Sequence, residues 1–279
     1  KFELYPLSFQ NEVSNNNMLV AAPYGGSIAI TRNPKKLVKV QGVNKPIIYL
    51  YTSSGKLTAK FQWNGGQLVL LGWSQQEELL CIEDDGMIHI YDMFGTYQHA
   101  FSMGNEVKDT KVVEAKFFVS YSGTGIAVLT SVNRIFLVNN IVEPKVRQIS
   151  DIPSKFNNLG LKAELLSVID FLGYGGQIEC WCLVHCDRET RVILSNKDGI
   201  FVIHQSHQAA THIPFDNLFT RHNKVSSVIA MAVSGNNRHI ALYMDTGHLY
   251  MGTIDFNEKY CEHYTNMKEP LENIAWLIC

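Results

Sequence analysis

GQLVLLGWSQQEELLCIEDDGMIHIYDMFGTYQHAFSM, residues 66–103, decides the fold. It divides into four short apolar segments that are separated by polar turns: 66–74, 78–84, 87–93 and 96–103. Asp85-Gly86 separates the second segment from the third, and Asp-Gly between two alternating runs is a strong β-hairpin signal. We expect a two-residue turn there, with both residues at positive φ. The stretch therefore predicts a four-stranded antiparallel meander.

The same four-strand unit recurs along the chain. Copies are predicted in five stretches: 19–64, 66–103, 112–149, 191–215 and 226–266. The turns measure the period, which is 47 residues from Gly86 to Asn133 and 48 residues from Gly199 to Gly247. Two longer intervals, of 61 and 66 residues, contain polar insertions at 32–45 and 150–162. Four short strands every 40–50 residues is the spacing of β-propeller blades.

The predicted fold class is therefore all-β, a β-propeller of four-stranded antiparallel blades with about five to six blades present. Residues 273–279, NIAWLIC, have the pattern of the first strand of a further blade, and one strand alone leaves its backbone hydrogen bonds unpaired. We expect residues 1–279 to form a single propeller domain that is incomplete and belongs to a longer propeller. Long helical patterns are missing from the sequence, which disfavours parallel α/β folds.

Composition and charge narrow the function classes. The chain is 46% hydrophobic and 18% charged, as in ordinary globular proteins. Its net charge of −2 gives no overall electrostatic case for nucleic-acid binding. The apolar runs are strand-sized and shorter than the roughly 20 residues of a membrane helix. Most of the six cysteines lie in apolar strand-like segments, which indicates reduced, packed thiols and a cytoplasmic location.

Acidic residues near a histidine raise the question of a metal or acid/base site. Glu83, Asp84 and Asp85 precede His89, and Asp92 follows it. Successive strand residues point to opposite faces, so spacing alone does not bring these carboxylates together. Asp85 is explained by the turn and Asp92 by the end of a strand. We interpret the group as a hairpin with a solvated edge, and a chemical site is the alternative.

Three further motifs resemble sites without meeting the requirements for one. CWCLVHC, residues 180–186, has no second pair of ligands as structural zinc sites do, and packed thiols are predicted instead. His204, His207 and His212 are interpreted as surface histidines, with a metal site or a pH-sensitive contact as the alternative. Gly123–Gly125 precedes a β run rather than the helix that a phosphate-binding glycine motif needs. No catalytic residue, cofactor or metal ligand is predicted.

A basic cluster lies on the first insertion and consists of Arg32, Lys35, Lys36 and Lys39. It predicts a solvated loop, or else contact with an acidic partner or an anionic lipid surface. Lipid contact through four charges would be weak and strongly dependent on salt.

Several long segments resemble the N-terminal region of the vacuolar protein sorting-associated protein 16 family. They are LVAAPYGGSIAITRNP (19–34), LGWSQQEELLCIEDDG (71–86), FSMGNEV (101–107) and RHIALYMDTGHLYMGT (238–253). These segments occur in the order found in the family, and the resemblance covers most of the chain.

The resemblance implies a β-propeller followed, beyond residue 279, by a helical solenoid that binds an SM-family SNARE regulator. It implies a core subunit of the HOPS and CORVET tethers, together with the other class C core subunits. Such a subunit would be a cytoplasmic, non-catalytic scaffold that is peripheral on late endosomes and lysosomes. It would support SNARE-mediated fusion of late endosomes, autophagosomes and lysosomes. The alternatives are a propeller adaptor that binds peptide motifs and a propeller enzyme with a site in its central channel.

Overall fold

The computed structural model describes residues 16–36, 45–142, 164–165, 178–186, 189–204, 210–218 and 227–264. Nearly all regular structure in these residues is β-strand, and the strands form five four-stranded sheets in which neighbours follow in chain order. The predicted all-β class is confirmed. The chain divides into two compact units, Lys1–Glu164 and Leu165–Cys279. A single domain over 1–279 stays a prediction.

Sheets 1 to 3 are formed by the N-terminal part of the chain. Sheet 1 consists of β1 (Asn17–Ala21), β2 (Ile28–Arg32), β3 (Ile47–Tyr51) and β4 (Leu57–Gln62). Sheet 2 consists of β5 (Leu68–Trp73), β6 (Leu79–Glu83), β7 (Met87–Tyr91) and β8 (Tyr97–Ser102). Sheet 3 consists of β9 (Val112–Ser120), β10 (Gly123–Thr130), β11 (Ile135–Val138) and β12 (Glu164–Leu165). A short helix, α1 (Asn105–Thr110), connects β8 to β9.

Sheets 4 and 5 belong to the C-terminal part. Sheet 4 consists of β13 (Cys180–Cys186), β14 (Glu189–Asn196), β15 (Gly199–His204) and β16 (Ala210–Ile213). Sheet 5 consists of β17 (Val228–Val233), β18 (His239–Met244), β19 (His248–Thr253) and β20 (Lys259–Tyr264). The helix α2 (Phe215–Leu218) follows β16. Two predicted strands, 145–149 and 273–279, lie outside the described residues.

The turn after β6 differs from the predicted two-residue turn. The amide of Gly86 donates to the carbonyl oxygen of Glu83 (3.1 Å), and within the turn only Gly86 has a positive φ, of 80°. The loop therefore has three residues and needs one left-handed residue at its end, which glycine supplies without a Cβ penalty. Asn133 closes the corresponding turn of sheet 3 in the same way, at a φ of 58°. The hairpin prediction is confirmed, whereas the predicted turn type is wrong.

Sheet 2 is buried on both faces, which explains the unbroken apolar run of β6. Leu79 and Cys81 point to sheet 1, where they pack with Ile48 and Leu50. Leu80 and Ile82 point the other way and pack with residues of sheet 3 such as Val128. Each such buried side chain contributes about 1.5–3 kcal/mol relative to exposure. The core of the first unit therefore lies between successive sheets.

The second unit has its core between sheets 4 and 5. Val184 and Ile193 of sheet 4 pack in one cluster with Ile240 and Leu242 of sheet 5. The pattern repeats that of sheets 1 to 3, because strands buried on both faces read as continuous apolar runs. In this arrangement the sheets supply the core, and the loops at their ends remain accessible for interactions.

Candidate interaction surface

Glu83, which is buried, and His89, which is partly exposed, form a polar pair in sheet 2. The Glu83 Oε1 lies 2.8 Å from the His89 Nε2, and Glu83 is only 5% exposed. The His89 ring meets the Trp63 ring edge-on, with 5.2 Å between the centroids. The interpretation of Glu83 as part of a solvated edge is wrong, because it shares the face of β6 that sheet 1 covers. Gly65 makes room for the carboxylate, because a Cβ there would clash with the Glu83 Oε1.

The neighbouring aspartates each have a separate structural role. Asp84 pairs with the Lys111 ammonium at 3.3 Å, and the Asp85 Oδ1 accepts a hydrogen bond from the Met87 amide at 3.0 Å. Asp92 holds the next turn, since its Oδ1 accepts from the amides of Phe94 (2.9 Å) and Thr96 (2.8 Å). Within the described part of the chain, no group of three histidine, cysteine or acidic side chains is arranged to hold a metal ion.

Two groups of sheet 2, the buried Cys81 thiol and the partly buried Tyr91 phenol, are held in their protonated forms. Burial, and secondly the charge of Glu83, raises the pKa of the Cys81 thiol well above its ordinary value. Burial is also the main cause that raises the pKa of Tyr91 to about 12, with smaller contributions from Cys81, Tyr97 and Glu83. A thiol that keeps its proton at neutral pH is a poor nucleophile. The chemistry of sheet 2 therefore suits packing rather than catalysis.

The CWCLVHC segment forms β13, the first strand of sheet 4. Cys182 lies in the core with sheet 5, and Cys180 and Cys186 pack against the same cluster. The His185 Nδ1 lies 2.9 Å from the Thr190 hydroxyl, and burial lowers the pKa of this histidine, which favours a neutral ring. The prediction of packed thiols is confirmed. The sequence had not assigned this strand to the predicted unit 191–215, to which it supplies the first strand.

The structure also shows the surroundings of the histidine group and of the glycine motif that the sequence analysis considered. The His204 Nδ1 lies 3.1 Å from the Glu189 carboxylate. The His212 ring stacks on Phe201 with 4.6 Å between the centroids, whereas His207 lies outside the described residues. Gly123 begins β10 in extended pairing with β9, as expected for a glycine motif without a helix.

The basic cluster lies at the second turn of sheet 1, which connects β2 to β3. β2 ends at the exposed Arg32, and the turn that follows is ordered by Asn33, whose Oδ1 accepts from the Lys35 amide at 3.0 Å. The Lys35 Nζ donates to the carbonyl oxygen of Val113 at the start of β9, at 3.2 Å. Lys36 is exposed beside it, and Lys39 lies outside the described residues. The structure thus brings this loop of sheet 1 to sheet 3.

Sequence reasoning missed three residues beside this cluster. Lys45 precedes β3 and its Nζ donates to the Asn64 Oδ1 at 3.1 Å. Ile47 and Val113 are aliphatic side chains exposed at 40% and 49% in the same region. We call Arg32, Lys35, Lys36, Lys45, Ile47 and Val113 the basic strip. Lys45 was visible as the last residue of the insertion 32–45, whereas the approach of Val113 depends on the fold.

Aromatic side chains occupy the opposite ends of the same sheets. Tyr24 stands in the first turn of sheet 1, Phe94 in the third turn of sheet 2 and Tyr121 in the first turn of sheet 3; all three are exposed. First and third turns of a meander lie at one end, and the second turn lies at the other. Tyr24 is 92% exposed and adopts a φ of 60°, an uncommon conformation for a bulky residue. We call these three residues the aromatic tips.

None of the helices in the described ranges has the length and apolar character needed to cross a membrane.

A family profile and individual relatives of this chain indicate the same family. A profile described as "Vps16, N-terminal region" matches residues 1–278. The "Vacuolar protein sorting-associated protein 16 homolog" of Drosophila melanogaster is 34% identical over 257 residues, which are 92% of this chain and 28% of that protein. "Protein VACUOLELESS1" of Arabidopsis thaliana is 23% identical over 289 residues, covering 99% and 32%. The chain therefore spans less than a third of the length of these relatives.

Among solved structures, the crystal structure of Saccharomyces cerevisiae Sqt1 aligns with a TM-score of 0.52 and 10% identity, covering 90% of this chain and 62% of that one. A likeness at this identity concerns the fold alone. Together with the five four-stranded antiparallel sheets, it confirms the predicted β-propeller class.

Proposed function

The chain belongs to the Vps16 N-terminal region family, and from this premise we propose that it is a non-catalytic interaction scaffold of an endolysosomal tethering complex. Membership makes it the N-terminal region of a vacuolar protein sorting subunit. The finer proposal places it in the HOPS and CORVET complexes, with the other class C core subunits as partners. A helical region beyond residue 279 would bind an SM-family SNARE regulator. The complex would act at late endosomes, autophagosomes and lysosomes, with indirect, peripheral membrane attachment.

One observation carries the scaffold proposal: the reactive-looking side chains of the described residues take part in packing and turns, and the exposed features are loops. Glu83 pairs with His89 beneath sheet 1, and Cys81 keeps its proton. The basic strip and the aromatic tips lie on loops and strand ends of sheets that are rigid through buried cores. Loops on a rigid scaffold are the usual place for protein recognition.

The experiment is purification of the full-length protein from cells by an affinity tag, with quantification of the co-purifying subunits. We expect the class C core subunits and the SM-family regulator in stoichiometric amounts. Deleting residues 1–279 should leave the regulator bound and reduce recovery of other core subunits. Loss of cargo delivery to lysosomes in cells with this deletion would support the tethering role. Recovery of no core subunit by the intact protein would contradict the proposal, as would a stoichiometric catalytic metal in the purified protein.

A second candidate function, an adaptor that binds peptide motifs, is favoured by the aromatic tips. Exposed aromatic side chains are enriched at protein-binding surfaces. A peptide array probed with the full-length protein separates the two functions. Selective retention of a short motif, lost when Tyr24 and Phe94 are replaced by serine, would favour the adaptor.

A further inference from the structure

We infer that the basic strip is a docking site for an acidic, partly aliphatic segment of another protein subunit. This inference rests on the proposed scaffold function and names the chemistry of one partner. The strip joins the second turn of sheet 1 to the first strand of sheet 3 through the contact between Lys35 and Val113. Both elements belong to the first unit.

The positive charge of the first insertion is not balanced by acidic residues within the same segment. Residues 32–45, RNPKKLVKVQGVNK, contain five cations and no acidic residue, in a chain whose net charge is −2. Among the described residues, no carboxylate forms an ion pair with Arg32, Lys35 or Lys45. Other cations of this end are paired, as Lys111 is with Asp84 at 3.3 Å and Arg134 with Glu106. Arg32, Lys35 and Lys45 therefore concentrate positive charge that an external acid would neutralise.

Two of these cations are already held in position by hydrogen bonds. The Lys35 ammonium donates to the Val113 carbonyl oxygen (3.2 Å), and the Lys45 ammonium donates to the Asn64 Oδ1 (3.1 Å). An ammonium has three donors, so each keeps two for a carboxylate. Holding a long side chain before binding reduces the entropy lost when a partner docks. The arrangement suits carboxylates spaced along a chain.

Exposed apolar side chains lie next to the charges. Ile47 and Val113 expose 40% and 49% of their surface beside Lys45 and Lys35. A partner segment with aliphatic residues between its acids would cover both. Burial of such side chains adds about 25 cal/mol per Å² of apolar area removed from water.

The charges of the same end favour a protein segment over a membrane. Asp85 in the second turn of sheet 2 and the exposed Asp109 on α1 lie at this end of the first unit. A flat anionic membrane would meet these carboxylates together with the cations, and repulsion would offset part of the attraction. A chain segment is narrow enough to follow the strip and avoid them.

The test is zero-length cross-linking of lysines to carboxylates, by a carbodiimide, in the complex purified with the full-length protein. We expect links from Lys35, Lys36 or Lys45 to one acidic segment of another subunit. The variant Arg32→Glu/Lys35→Glu/Lys45→Glu should lose these links. Its matched control is Lys56→Glu/Lys60→Glu, which reverses two exposed cations of sheet 1 outside the strip and should retain them. Unfolding midpoints of both variants check that the fold persists.

Two binding measurements complete the test. A fluorescein-labelled peptide of alternating Glu and Leu should bind the full-length protein, and the triple reversal should weaken this binding about tenfold or more, with the control near wild type. Vesicles of phosphatidylcholine with about 30% phosphatidylserine test binding to a membrane.

Vesicle binding that requires the strip, without peptide binding or cross-links, would overturn the inference. Cross-links spread equally over all exposed lysines would also overturn it. The proposed scaffold function is contradicted by a different result, namely that the wild-type protein recovers no core subunit.

Discussion

Replacing Gly86 by alanine should destabilise sheet 2 more than the same replacement at Gly25 destabilises sheet 1. Both glycines have nearly the same backbone conformation, with φ of 80° and 78°. Alanine in the left-handed region costs about 1–2 kcal/mol at either position. A Cβ on Gly86 would in addition lie 2.6 Å from the Val107 Cγ1, whereas a Cβ on Gly25 would meet nothing within 4 Å. The pair therefore isolates the contact with Val107.

The free-energy cost of that close contact depends on the surroundings of Val107. This residue is fully buried on α1, within the cluster that joins sheets 2 and 3, so it has little room to move. Overpacking of this kind costs about 1–3 kcal/mol. We expect the free energy of local opening to fall by about 1–2 kcal/mol in Gly25→Ala and by about 2–5 kcal/mol in Gly86→Ala.

Hydrogen exchange of the full-length protein, read by mass spectrometry, measures these effects in peptides from β1–β2 and β6–β7. The difference between the two variants corresponds to about a 5- to 140-fold faster exchange in Gly86→Ala, since every 1.4 kcal/mol is a factor of ten. Gly86→Ala/Val107→Ala should be less destabilised than the sum of its single changes, because the shorter side chain removes the close contact. Equal losses at Gly25 and Gly86, with additive effects in the double variant, would refute the reasoning.

Three further predictions follow from single residues. Tyr24→Gly should raise the thermal unfolding midpoint slightly, by relieving about 1 kcal/mol of left-handed strain, and a lower midpoint would show that the ring contributes packing. At pH 8, iodoacetamide should modify the exposed Cys261 at least about tenfold faster than Cys81, whose raised pKa keeps the thiol protonated; equal rates on peptide mapping would contradict this. Because folding raises the pKa of Tyr91 to about 12, its stabilising contribution is complete below about pH 10 and is lost as the pH rises toward 12. Tyr91→Phe should remove a phenol that titrates at about pH 12 in absorbance at 295 nm, and an unchanged titration would contradict the raised pKa of Tyr91.

The strands could be predicted from the sequence because their signals are local. Alternation within 87–93 and the glycine at 86 need no knowledge of distant residues, and β7 occupies Met87–Tyr91. The turn type was wrong because the choice between a two-residue and a three-residue loop depends on strand register, which residues beyond the turn determine. The first strand of sheet 4 was recognised as a buried strand but was left unassigned, since no turn signal connects it to 191–215.

The surfaces could be predicted only in part, because they depend on contacts between distant segments. The charges of Arg32, Lys35 and Lys36 are evident in the sequence, and these residues are exposed in the structure. The burial of Glu83 depends on sheet 1 covering its face, and no pattern within 77–95 indicates it. Lys35 and Val113 are 78 residues apart in sequence and come into contact only because sheets 1 and 3 belong to one unit.

The residues that stabilise the fold and the residues offered to partners are largely different sets. Leu80 and Ile82 are fully buried and hold successive sheets together, while Arg32 and Lys45 form no ion pair among the described residues. Exposed charges without an ion-pair partner contribute little to folding stability, so their reversal should leave the sheets intact. A scaffold of this kind can therefore change its partners through loop substitutions without weakening its core. That separation is what makes charge reversal on the basic strip a test of binding rather than of folding.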